Sequence, residues 1–461
     1  MPLATSNSSR NGSSSAGPAV LAADLAAAGV GGGTGKGSHS KIPGESRLGR
    51  WVRAQALNLS RHVAALRDFS RVEFGDVAEA PTEGHVLAVN QLLGRHRGRL
   101  TDAARLMNRL VAGAIRDPQP SRLRALLTHK HTAHAAVQHL ERIWNFYFEL
   151  FGQRQSRFGS WLLSTDRIAL DCYQAAYLGV GRAKSIPAPP PLTYMQTGFG
   201  PATYRRGLKL RQLGREANPF PLIQLPYHRM INPWTLGAVL HEVSHNLQSD
   251  LGLSRAIPLA VGRRLLRAGL GSDIARIWVR WNRETFADLS GLLLGGPCIV
   301  ASLMDVVGRS SEITYYFNPR GVHPTPYLRV LLSCELLRRM GFPTDADRDA
   351  RAWLRLYPNP AEGGVPERLL ASAPRAMALV VDTMCYQPYT ALGGKKLAEV
   401  FRFAPKEQEM VVEAAGRLAR GTDPGIVPAR FLIGAARYAL DQRLAPAETI
   451  KEAFYRELSR R

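Results

Sequence analysis

Apolar side chains recur every three to four positions from Arg47 to about Lys184. Leu123, Leu126 and Leu127 are one such set, and Ile143, Phe146 and Leu150 another. That spacing places them on one side of a 3.6-residue turn, and Gly and Pro fall mostly between the runs, so the stretch predicts a helical region. Before it, residues 1–46 carry Ser, Gly and Ala with few large apolar groups. Burial there cannot offset the entropy of ordering, and a flexible tail is expected. The run Ile186–Pro191 (IPAPPP) is unsuited to helix, because proline lacks a donor and biases the residue before it toward extended geometry.

Beyond that linker the period changes. Leu192–Gly198 and Pro221–His228 are short and bounded by Gly and Pro, which suits strands, and the prolines of the second suggest a sheet edge. Three strong helices follow. Asn232 and Pro233 precede WTLGAVLHEVSHNLQ, Ser272 opens SDIARIWVRWNRETFADLSGLLL, and Thr325 with Pro326 opens YLRVLLSCELLRRM, which Gly341 closes. From Pro343 the chain reads as more helices, one from Pro428 to Leu440, with YPNPAEGG as a loop. The predicted class is mainly α with a small β-sheet (α+β), divided into a tail (1–46), an N-terminal helical region (47–185), a core (186–342) and a C-terminal helical region (343–461).

A helical wheel drawn over the first of the three helices separates two faces. Leu236, Leu240, Val243 and Leu247 form one apolar stripe, and His241 and His245 lie opposite it. Two imidazoles four positions apart project about one turn from each other and can reach one zinc ion. Glu242, offset by about 100°, can act as general base on a water in the remaining position. Gly237 and Ala238 leave room on the histidine side. In the next helix Glu284 and Asp288 share the arc of Ile277, Trp281 and Leu292, while Arg276, Arg280 and Arg283 occupy another side. Buried carboxylates need a positive partner. Zinc, Zn2+, meets that need, with Glu284 as third ligand and Asp288 accepting the free N–H of a liganding histidine, His241 first. The competing expectation is an ordinary helix interface in which buried arginines pair these acids.

HEVSH followed by ETFAD resembles the HExxH and ExxAD pattern of gluzincin metallopeptidases. His323, Pro324 and Arg329 in HPTPYLR are similar to the HPxxxxR element of the CAAX prenyl protease family and its soluble relatives. The resemblance covers about Leu192 to Met340. It implies a zincin-like metallopeptidase core flanked by helical regions, with His323 and Arg329 facing the cleft to bind substrate and stabilise the transition state. It also implies an edge strand before the zinc helix, at Pro221–His228, where a peptide would pair. Ser244 stands where many members have glycine, and its small side chain is expected to fit. The family's membrane helices have no counterpart here, so a prenylated substrate does not follow.

Composition narrows the classes. At 461 residues the chain suits several folded units, and 45% apolar with 21% charged residues is ordinary for a globular protein. Sixty Lys and Arg against 37 Asp and Glu give +23, which favours acidic partners. The arginines are nevertheless dispersed and no nucleic-acid motif is visible, so a nucleic-acid partner is not expected. Cys172, Cys298, Cys334 and Cys385 form no CxxC pair, and a reducing, cytoplasmic setting is expected. No run reaches the eighteen or so apolar residues of a membrane span. His129, His131, His134 and His139 lack a carboxylate or thiol to complete a metal set, WNFYFELF (Trp144–Phe151) has the spacing of packing surface, and GVGGGTGKGS lacks the GxxxxGK[ST] order.

These observations predict a zinc peptidase acting on a peptide or protein through His241, His245, Glu284, Glu242, His323 and Arg329. Two alternatives stay open: a catalytically silent gluzincin-fold helical scaffold, with or without nucleic-acid binding, and hydrolysis of a non-peptide amide.

Overall fold

The computed structural model describes residues 46–75, 77–181, 186–198 and 200–461. The tail expected over 1–46 lies outside the described residues except for Ser46, whose Oγ accepts a hydrogen bond from Gly49 N at 3.0 Å and so caps the first helix. The molecule is mainly helical with a small mixed sheet, and among the described residues no helix is long and apolar enough to cross a membrane.

Two compact units are present. The first comprises residues 46–68 and 94–141, drawn from α1 (Arg47–Ala65), α2 (Glu83–Arg116) and α3 (Pro120–Gly152). Its buried residues follow the helical period: Val52, Ala56, Leu59 and Val63 on α1; Leu100, Ala104, Met107 and Val111 on α2; Leu126, Ala133, Val137 and Leu140 on α3. Within it Nε2 of His129 lies 2.8 Å from Ala103 O, and the rings of His62 and His134 meet edge to face.

The second unit comprises residues 69–93 and 142–461. The expected boundaries near 185 and 342 therefore fall inside one unit, and the expected N-terminal helical region is divided between two. Trp144–Phe151 is packing surface, as its spacing predicts: Tyr147 and Phe151 are buried, and Trp144 stacks on Phe148 and Phe69.

This unit's sheet holds β1 (Leu192–Met195), β2 (Ala202–Tyr204) and β5 (Leu222–Leu225) in the order β1-β5-β2, β5 being parallel to β1 and antiparallel to β2. A separate hairpin pairs β3 (Lys209–Leu210) with β4 (Glu216–Ala217). The expected edge strand, Pro221–His228, is in fact central. Pro221 precedes β5 and Pro226 follows it, so neither removes a donor from the ladder.

The outer edge of β1 is covered by side chains. Thr193 N donates to Asp166 Oδ1 at 2.7 Å and Thr193 O accepts from Arg154 at 2.5 Å; Gln153 satisfies both the N–H and the C=O of Met195. Asp166 belongs to α4 (Gly159–Val180), and its pairing with the buried Arg154 fixes the sheet to that helix. The proline linker is held as well. Arg206 donates to the carbonyls of Pro187, Ala188 and Pro189, and Nε2 of His85 lies 2.9 Å from Pro190 O.

After β5 come α5 (Tyr227–Ile231), α6 (Gly237–Asp250), α7 (Ala256–Arg267), α8 (Ser272–Gly295), α9 (Cys298–Val307), α10 (Ser311–Thr314) and α11 (Pro326–Arg339). The C-terminal helices are α12 (Pro343–Leu356), α13 (Glu367–Val381), α14 (Leu397–Val400), α15 (Pro405–Ala419), α16 (Phe431–Asp441) and α17 (Ala447–Arg460). The apolar stripe Leu236, Leu240, Val243 and Leu247 is wholly buried. Against α6 lies α8, whose residues Glu284, Asp288, Gly291 and Gly295 fall on one stripe at spacings of four, three and four. At Gly291 a Cβ would stand 3.5 Å from the backbone N of His241, and at Gly295 one would press on Leu240 and Ile299 at 2.7 Å. Gly291 thus lies against the α6 backbone, and Gly295 makes room for the side chains of Leu240 and Ile299. Arg430 closes the C-terminal end of α8 by donating to Leu294 O at 3.0 Å, while its guanidinium pairs with Asp171 at 2.9 Å. All four cysteines are free.

Candidate metal centre

The close crossing of α6 and α8 brings His241, His245 and Glu284 together. Their donor atoms all lie within 4.8 Å of one another, a set that could hold a metal ion. Nε2 of His241 is 3.4 Å from Glu284 Oε2, and Nε2 of His245 is 3.5 Å from Glu284 Oε1. These separations exceed the usual N–H···O range of about 2.7–3.2 Å. Each is close to the roughly 3.3 Å between ligands that stand roughly 2.0–2.1 Å from a tetrahedral zinc, although the two run to different oxygens of Glu284. Two imidazole nitrogens and one carboxylate are a donor set that zinc accepts, so the residues present fit the ion.

A second layer holds this set. Nδ1 of His241 lies 2.9 Å from Asp288 Oδ1, which leaves Nε2 as the nitrogen facing Glu284. Asp288 also accepts two hydrogen bonds from Arg329, at 2.8 Å from Nε and 2.7 Å from Nη2. Arg329 comes from α11, so three helices meet through one carboxylate. Nδ1 of His245 is buried with no partner among the described residues. Ser244 fits as expected, with its Oγ donating to Leu240 O at 2.7 Å within the helix.

Burial and charge divide the titrations. At Asp288 burial favours the neutral acid, but Arg329 and His241 outweigh it and hold the carboxyl below its ordinary range. Glu284 is likewise lowered against its burial by the two imidazoles. Burial also opposes a charge on His241, yet the Asp288 and Glu284 carboxylates prevail and raise it to about 10; at His245 burial dominates and lowers it to about 4. Glu242 is 5% exposed, and burial pushes its carboxyl up to about 7.

The donors open on a cavity of about 620 Å³. Glu242 lines it between the histidines, Ile299, Val300, Leu303 and Val306 form an apolar wall, and Arg280 and Arg283 line another part. His323 lines the cavity with its side chain 69% exposed, Nε2 being 3.7 Å from Glu284 Oε1. Arg329 lines the cavity too, and its guanidinium pairs with Asp288.

The strand along the cavity is β2: Gly200, Pro201, Ala202 and Thr203 line it. Among the described residues β2 pairs with β5 on one side alone, and Thr203 is tied to α6 by Asn246, whose Nδ2 donates to Thr203 Oγ1 at 2.9 Å. Sequence reading missed β2, because three residues after a Gly-Pro pair carry no alternation to detect. It also placed Arg283 on the arginine side of its helix without assigning it to the cavity. Comparison of the chain with protein-family models, with curated proteins and with solved structures gives no match.

Proposed function

We propose that the chain is a zinc-dependent metallopeptidase with a zincin-like core, in which His241, His245 and Glu284 hold the ion. The observation that carries this reading is the convergence of two imidazole nitrogens and one carboxylate within 4.8 Å of one another, beside a cavity that Glu242 also lines. Bound zinc supplies a Lewis acid that polarises a carbonyl and lowers the pKa of water toward about 7. Glu242, which lines the cavity between the two histidines, takes the proton from the attacking water and returns it to the departing amine. Asp288, braced by Arg329, keeps the proton of His241 on Nδ1 and fixes the ring. His323, at the exposed side of the cavity, offers a donor to the developing oxyanion.

A peptide is the favoured substrate because the unpaired side of β2 runs along the cavity, where an extended backbone can add as a strand. A non-peptide amide would have no use for that edge. A silent scaffold would be favoured by neighbouring helices filling the cleft, and the cavity beside the three donors argues against it. The test is metal content and peptide cleavage by the purified full chain. Glu242→Gln is expected to retain stoichiometric zinc and lose turnover by about 10²- to 10⁴-fold. Undiminished cleavage by that variant removes Glu242 from its role, and a native protein that takes up no zinc ends the reading.

A further inference from the structure

The cavity's charges do not cancel within the proposed centre. Arg329 is matched by Asp288, and Glu284 by the histidines and the ion they would share. Arg280 donates to Pro319 O. Arg283, one residue before Glu284 and exposed in the cavity, makes no hydrogen bond or ion pair among the described residues.

Its nearest electrostatic neighbours are informative. The charge of Arg283 acts on Glu242 and His245 and also on Arg205, which lies outside the cavity lining. Arg205 follows directly on β2, the strand that lines the cavity. One arm of Arg205 donates to Ser249 Oγ at 3.1 Å, whereas its Nε is buried with no partner. Burial together with the Arg283 charge lowers its pKa. An unpaired guanidinium in the cavity and a buried donor left unused nearby are both costs that a bound anion would relieve.

We propose that Arg283, assisted by Arg205, is a specificity-determining pair that binds a carboxylate of the substrate beside the scissile bond. The planar guanidinium matches a carboxylate in fork geometry. The carboxylate can be the substrate's own C-terminus or an Asp or Glu side chain. The apolar wall of Ile299, Val300, Leu303 and Val306 leaves a large aliphatic or aromatic side chain as the companion requirement. This assignment rests on the peptidase reading for the bound molecule being a peptide.

Binding to the zinc-loaded Glu242→Gln protein, followed by fluorescence anisotropy, separates recognition from turnover. Four labelled, N-acetylated apolar heptapeptides serve as probes. One pair differs only in a C-terminal acid or amide, and the other, amidated at the C-terminus, only in an internal Glu or Gln. One of the two acidic peptides is expected to bind at least about tenfold more tightly than its neutral twin, and which one it is identifies the source of the carboxylate. Adding Arg283→Ala should abolish the discrimination with zinc content unchanged, Arg283→Lys should keep part of it, and Arg205→Ala should weaken it. Equal binding within both pairs, no binding of any probe, or discrimination that survives Arg283→Ala overturns the assignment. Intact discrimination in a wild-type protein that cleaves none of the four would instead sink the hydrolase reading and leave the carboxylate site standing.

Discussion

Asp288→Asn is the most informative single change, because one buried carboxylate serves both the metal centre and the fold. Its side chain is 2% exposed and accepts three hydrogen bonds, one from His241 and two from Arg329. An asparagine of the same shape keeps one acceptor oxygen and turns an NH2 toward a donor. With the amide oxygen at the Oδ1 position the new NH2 faces Nε of Arg329; with the amide flipped it faces His241 and Nη2. In either pose the buried guanidinium loses its counter-charge, and breaking such a pair from one side costs about 3–5 kcal/mol. Zinc affinity should fall by about 10- to 100-fold, roughly 1.4–2.8 kcal/mol, because the ring of His241 is no longer fixed by a carboxylate.

The two losses separate in the double variant Asp288→Asn/Arg329→Met. Removing both charges leaves no unpaired ion, so most of the stability should return, with a coupling of about 3 kcal/mol between the sites. Zinc binding should stay weak, since the carboxylate is still missing. Urea unfolding of the chelator-treated protein reads the first quantity, and competition with a chromophoric chelator reads the second. A single variant with unchanged zinc affinity would refute the supporting role of Asp288. An undiminished stability loss in the double variant would show that the cost does not arise from an orphaned Arg329.

Two further outcomes are expected. In metal-free protein the carboxyl of Glu242 sits at about 7 rather than its ordinary 4.5, so its contribution to stability is full below about pH 4.5 and is lost as pH rises through 7; the gap of about 2.5 units corresponds to roughly 3 kcal/mol. The stability difference between Glu242→Gln and wild type, measured by urea unfolding in chelator, should therefore shift in favour of the glutamine by about that amount between pH 4.5 and 8, and a constant difference would contradict the burial of this group. A Cβ on Gly179 would lie 2.1 Å from the backbone oxygen of Val400. Gly179→Ala should therefore cost about 1–3 kcal/mol, and a denaturation midpoint equal to wild type would show that α4 and α14 are not held this closely.

Much of the site was legible because it obeys helical periodicity. The stripe Leu236, Leu240, Val243 and Leu247 fixes which face of α6 is buried, and that alone aims His241 and His245 the other way. The same reasoning turned Glu284 and Asp288 inward on α8. The sheet order was not legible, because the prolines of Pro221–His228 were read as lying within a strand when they bracket it, and strand order depends on contacts distant in sequence. The division into units was hidden for a related reason. Periodicity runs unbroken through α2 and α3, although each helix gives residues to both units.

The glycines of α8 carry the deeper lesson. A glycine inside a helix costs about 1 kcal/mol relative to alanine, and Gly291 and Gly295 sit in the same helix as two buried acids that are costly in their own right. Taken separately, each feature is a defect. On one stripe they act together: Gly291 brings no side chain against the α6 backbone, Gly295 admits Leu240 and Ile299, and the acids one and two turns before Gly291 reach the imidazoles. The separation of 3.4–3.5 Å between carboxylate and imidazole atoms is thus set by how closely the two backbones approach. Gly291→Leu, whose side chain would press on the backbone of His241, should weaken zinc binding in the chelator competition, and an unchanged affinity would show that this contact does not place the histidine.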